Sequence, residues 1–109
     1  MSRVVSHPAP GLFTLDVGSK AIAADPTDVR GMVVGYENDI EPLFQSEEHW
    51  VFRMKDDSLR TRPPIGTVVY IIPTHICPTS ALYPETLVVR KGNVSDKWKV
   101  TARNRKIKF

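Results

Sequence analysis

The chain has a single cysteine, Cys77, so no internal disulfide can form, and zinc modules built on two or four thiolates are excluded. Any metal site has to be mixed. No apolar run approaches the roughly 20 residues that cross a bilayer, and Met1 to Pro10 lacks the charged-then-apolar pattern of a secretory signal. No membrane partner is expected, and the location implied is cytoplasmic. At 109 residues there is room for one domain and not for a cofactor-binding barrel of about 250 residues. Acidic residues are missing from one end: Lys97, Lys99, Arg103, Arg105, Lys106 and Lys108 follow one another with no Asp or Glu between them. The net charge of +3 therefore hides a polarised chain, acidic over residues 1–54 and strongly basic over 55–109.

What is present is an all-β pattern. Leu12 to Val17, Gly31 to Tyr36, His49 to Met54, Thr67 to Ile72, Thr86 to Lys91 and Val94 to Thr101 are short, rich in Val, Ile, Thr and aromatics, and separated by turn residues. The spacing predicts a small antiparallel β-barrel or highly curved sheet with at most one or two short helical turns, a sandwich being the runner-up. Residues 1–109 read as a single β-domain with a basic tail over 104–109. Cys77 to Leu82, with Pro78 near a first-turn position, predicts one turn of helix. Ser19 to Ala24 is too short for more than a turn, and Ile40 to Ser46 is ambiguous. Lys91-Gly92-Asn93 predicts a hairpin, with Leu87, Val89, Val94, Trp98 and Val100 on an inward face and Lys97 and Lys99 opposite.

Three stretches could carry chemistry. In Pro73-Thr74-His75-Ile76-Cys77-Pro78-Thr79, a strand continuing past Ile72 would point His75 and Cys77 to one face, as two ligands of one metal require. Imidazole plus thiolate suits zinc. The competing reading is a half-buried histidine beside an inert core cysteine. Ser46-Glu47-Glu48-His49 could ligate metal, move protons or hold another histidine's tautomer, or could be a solvated loop. In Leu15-Asp16-Val17-Gly18-Ser19-Lys20-Ala21 a glycine after a strand permits close approach of another backbone, or marks a plain turn. Lys20 has no phosphate cradle beside it that would favour a Schiff-base role.

Taken in order, these segments, with Ala24-Asp25 after the first, Leu82-Tyr83 after the last, and the closing hairpin Val88 to Val94 through Trp98, resemble the carboxy-terminal domain of the D-threonine aldolase and D-serine dehydratase family. The resemblance spans residues 8–103. It implies fold-type III pyridoxal phosphate enzymes like alanine racemase, in which a barrel carries the cofactor and a β-rich domain caps it. It implies His75 and Cys77 as ligands of zinc or another divalent metal that acts on the substrate's β-hydroxyl, and Glu47, Glu48 and His49 as residues behind them. The chain has Trp50 where the family usually has glycine and Thr74 where asparagine is common. The barrel and its lysine are absent, so the isolated chain is expected to be inactive, with pyridoxal phosphate bound only when a barrel domain or subunit is present.

A capping domain needs an apolar docking face, for which Trp50, Phe52 and Tyr83 are candidates. The family's enzymes resemble dimers completed across an interface, which makes a homodimer one expectation. Two other classes remain open from sequence. One is a basic β-barrel module holding nucleic acid through Trp98 or Tyr83, disfavoured because Trp98 alternates with Lys97 and Lys99. The other is a metal-binding remnant without catalysis.

Overall fold

Phe13, Leu15, Trp50 and Phe52 are the residues around which the rest of the chain folds. They lie on neighbouring strands, β2 (Leu12–Leu15) and β5 (Trp50–Met54), in an antiparallel register that sets Phe13 against Phe52 and Leu15 against Trp50. Directly opposed side chains on a sheet are close enough to pack. Here the Phe13 and Phe52 rings stack with centroids 5.5 Å apart, and Trp50 lies 4.7 Å from Phe52. In this computed structural model, which describes residues 1–109, β2 and β5 are central strands of a five-stranded antiparallel sheet. Its order is β4-β5-β2-β1-β6, with β1 at Ser2–Ser6, β4 at Ile40–Gln45 and β6 at Val68–Val69.

Two smaller units complete the fold. β3 (Gly31–Val33) pairs with β7 (Ile71–Pro73), and β8 (Glu85–Arg90) pairs with β9 (Asn93–Lys99). One short helix, α1 (Ile76–Ala81), and a 3-10 turn at Thr101–Arg103 are the helical elements. The chain is thus all-β and antiparallel with short helical turns, as the spacing predicts, but its sheets do not close into a barrel. The reason lies in the segment expected as one strand over Thr67 to Ile72. Val68 and Val69 pair with β1, whereas Ile71 and Ile72 pair with β3, so the chain changes sheets at Tyr70.

Two strands carry little pattern of their own. β1 buries only Ser2 and Val4, and is secured by Asp16, whose carboxylate accepts from the Ser2 hydroxyl and the Arg3 N–H, both at 2.6 Å. Partial burial works against the Asp16 charge, but these two bonds outweigh it and hold its pKa below the usual carboxylate range. β4 buries Ile40 alone and carries Pro42, which an edge strand tolerates because one side of it needs no ladder bond.

The C-terminal hairpin forms where expected, turning on Lys91 and Gly92, both with positive φ. Its faces differ from the expectation. A β-bulge between Val88 and Val89 shifts the register, so Leu87 lies opposite Lys97 and Trp98 opposite Thr86. Leu87, Val89, Val94 and Lys97 therefore share one face, and Trp98 is on the other. Neither face packs into the core: Leu87 is 54% and Trp98 57% exposed. The hairpin projects from the sheet, giving a radius of gyration of 15.7 Å against the roughly 13 Å usual for this length. Between hairpin, α1 and sheet lies an open cleft of about 910 Å³, lined by residues including Val17, Ile22, Ile71, Ile76, Tyr83 and Leu87. Trp50 and Phe52, expected on a docking face, are each only 2% exposed and belong to the core, whereas Tyr83 is accessible.

Candidate metal centre

The three chemistry-bearing stretches meet through the segment from Gly18 to Asp25. A β-carbon on Gly18 would overlap the peptide joining Glu47 to Glu48, so only glycine fits there. The contact is sealed by backbone bonds from the Ser19 N–H to the Ser46 carbonyl, 2.9 Å, and from the Lys20 N–H to the Glu47 carbonyl, 3.1 Å. Lys20 Nζ then reaches both acids, 3.0 Å to Glu47 and 2.7 Å to Glu48. These bonds raise the Lys20 pKa and lower that of Glu48. All three side chains are exposed, so the pairs add little to stability. What they do is keep Lys20 protonated and therefore a poor nucleophile.

Past Lys20 the chain turns, with the Ala21 and Ile22 N–H groups both donating to the Gly18 carbonyl, and buries Ile22 and Ala23. This turn grips α1 and the tyrosine two residues past it. The Ala23 N–H donates to Thr79 Oγ1 at 2.9 Å, and the Tyr83 hydroxyl donates to the Ala21 carbonyl at 2.7 Å. Burial pushes the Tyr83 pKa up. Asp25 ends the segment against His75, its Oδ2 2.5 Å from the imidazole Nδ1.

His75 and Cys77 do not sit on a strand face. β7 stops at Pro73, and His75 is the extended residue that begins α1. Cys77 lies in the first helical turn, exposed and free, followed by Pro78 at a position where a missing N–H costs nothing. Thr74 anchors the approach: its N–H donates to the Arg30 carbonyl at 3.0 Å and its hydroxyl to the Val29 carbonyl at 2.7 Å. The exposure of Cys77 sets aside the inert core cysteine as an alternative.

Glu47 and Glu48 are brought to Lys20, and no hydrogen bond or ion pair joins them or His49 to His75 or Cys77. The side chain that does contact the His75 ring is Asp25, which the family resemblance includes with Ala24 but to which it gives no role. An acidic residue held extended by a following proline was the available signal. Nowhere do three or more His, Cys, Asp or Glu side chains gather into a set that could enclose a metal ion.

Residues 1–89 match the profile of a family described as a putative serine dehydratase domain. The chain is 32% identical over 105 residues to a D-threonine aldolase of Arthrobacter sp, a match covering 94% of this chain and 26% of that protein. An uncharacterized protein of Mycobacterium tuberculosis is 36% identical over 95 residues, covering 85% of this chain and 70% of its own length. The crystal structure of a D-threonine aldolase from Filomicrobium marinum superposes with a TM-score of 0.77 at 27% identity, over 94% of this chain and 27% of that one. The chain spans about a quarter of the D-threonine aldolases it matches, whereas the mycobacterial relative is largely this one domain. A shared sequence profile over most of the chain and a shared fold over nearly all of it place it in the putative serine dehydratase domain family, as the counterpart of the carboxy-terminal β-domain of D-threonine aldolase.

Proposed function

We propose that this chain is the metal-carrying β-domain of a lyase acting on D-β-hydroxy amino acids, with His75 and Cys77 as its protein donors. The observation behind this is the Asp25–His75 contact: the carboxylate occupies Nδ1 and leaves Nε2 without a partner in the chain, as a ligating histidine requires. Imidazole and thiolate fit zinc, and two protein donors leave positions for water or substrate. The chemistry such an ion supplies is Lewis-acid polarisation of a hydroxyl. The chain's own residues do the rest of the work. Asp25 and Thr79 hold His75, Thr74 fixes the loop before it, and Glu47 and Glu48 restrain Lys20 and lock the neighbouring loop.

Pyridoxal phosphate does not fit this chain alone. Lys20 is tied to two carboxylates, and no loop around it forms a phosphate cradle. The cofactor belongs to a barrel domain or subunit, for which the apolar cleft and the exposed Ile72, Ile76 and Leu87 offer a docking face. The nucleic-acid alternative has less behind it: Lys97 is paired with Glu85 at 3.0 Å and lies on the face opposite Trp98. The purified chain given pyridoxal phosphate is expected to show no imine absorbance and no breakdown of D-serine or D-threonine. Turnover in a contaminant-free sample would contradict the need for a barrel.

A further inference from the structure

We infer that Asp25 fixes His75 in the tautomer with the proton on Nδ1, making Nε2 the donor atom. The inference rests on the metal-site reading and deepens it by naming the residue that positions the ring. An ionised carboxylate only accepts hydrogen bonds, so at 2.5 Å from Asp25 Oδ2 the imidazole Nδ1 must carry the proton, and a neutral ring then has its lone pair on Nε2.

The arrangement is built from both sides. Thr79 Oγ1 accepts from the Ala23 N–H and donates to the His75 carbonyl, both at 2.9 Å, so the backbone two residues before Asp25 is tied to the backbone of His75 itself. The side-chain bond and this backbone bridge together set where the ring sits and how it is rotated. Pro26 restricts Asp25 to extended conformations, and Thr74 ties the other approach to Val29 and Arg30. The two side chains are 49% and 53% exposed, so the ring stays accessible while held.

The test uses nitrogen-15 NMR of the histidine rings in the metal-free chain, with zinc affinity measured by chelator competition, for wild type, Asp25→Ala and Asp25→Asn. Wild type is expected to show the Nδ1–H tautomer at His75. Asp25→Ala should shift it toward Nε2–H and weaken zinc binding about 10- to 100-fold, the usual cost of losing such a partner. Asp25→Asn keeps an acceptor oxygen in place and should retain the tautomer and most of the affinity, with a dispersed amide spectrum confirming that each variant folds. A wild-type His75 in the Nε2–H form, or an unchanged tautomer in Asp25→Ala, would overturn the inference. If the tautomer responds as expected but wild type and His75→Ala bind zinc equally poorly, the metal reading falls and the role of Asp25 on the ring stands.

Discussion

Zinc affinity is expected to fall by more than about 100-fold when His75 is replaced by alanine, since removing only the partner of a ligating histidine already costs about 10- to 100-fold. The size of the effect follows from how few donors the chain has. No set of three or more His, Cys, Asp or Glu side chains encloses the site, so removing one of the two proposed donors leaves a single one. Cys77→Ala should cost a similar amount, because Cys77 is the only thiol in the chain. Cys77→Ser should bind zinc less well than wild type, since an alcohol is a far weaker ligand than a thiolate. The variants are distinguished by chelator competition at fixed pH, because both donors must be deprotonated to bind. Wild-type affinity in either alanine variant would remove that residue from the site.

Gly18→Ala is expected to destabilise the fold by about 3 kcal/mol, the upper end of the range for overpacking. The added methyl would meet the backbone of Glu47 and Glu48, and a peptide plane cannot rotate aside as a side chain can. Relief would have to come from separating the loop at 46–49 from the segment at 18–20, breaking the two backbone bonds that join them. Gly31→Ala is the informative comparison. There the nearest atoms are Ile22 Cδ1 and Ile71 Cγ2, each at 2.9 Å, and the Ile72 carbonyl oxygen at 3.1 Å, a much milder overlap than the 2.2 Å to backbone at Gly18, so a smaller loss is expected. Denaturant unfolding of both variants checks the order. A Gly18→Ala chain no less stable than Gly31→Ala would mean that the contact between the two loops is not rigid. The same variant should also weaken zinc binding, because Gly18 opens the segment that ends at Asp25.

The sequence makes the interior of this fold easier to read than its edges. β2 and β5 declare themselves through Phe13, Leu15, Trp50 and Phe52, which bury large apolar side chains and pack in register. β1 offers only Ser2 and Val4 to the interior, and its place depends on Asp16 reaching across from the end of β2, a contact that no local pattern encodes. β4 is an edge strand with one buried residue, so its alternation is lost. In the hairpin the turn is legible from Lys91 and Gly92, but the bulge beside Val88 is not, and one extra residue moved Trp98 to the other face. The site follows the same rule. His75 and Cys77 stand out by residue type and order, while Asp25, 50 residues before His75 in sequence, reaches the imidazole only because the Gly18 to Ala23 turn folds back onto α1.

X-ray absorption of the zinc-loaded chain at the zinc edge reads the donor atoms of His75 and Cys77 themselves. The expected spectrum has one sulfur at about 2.3 Å, one imidazole nitrogen at about 2.0–2.1 Å and light oxygen scatterers completing the shell. The sulfur should vanish in Cys77→Ala and the imidazole in His75→Ala. A wild-type spectrum with no sulfur shell, or one that neither substitution changes, would contradict the assignment of His75 and Cys77 as the donors.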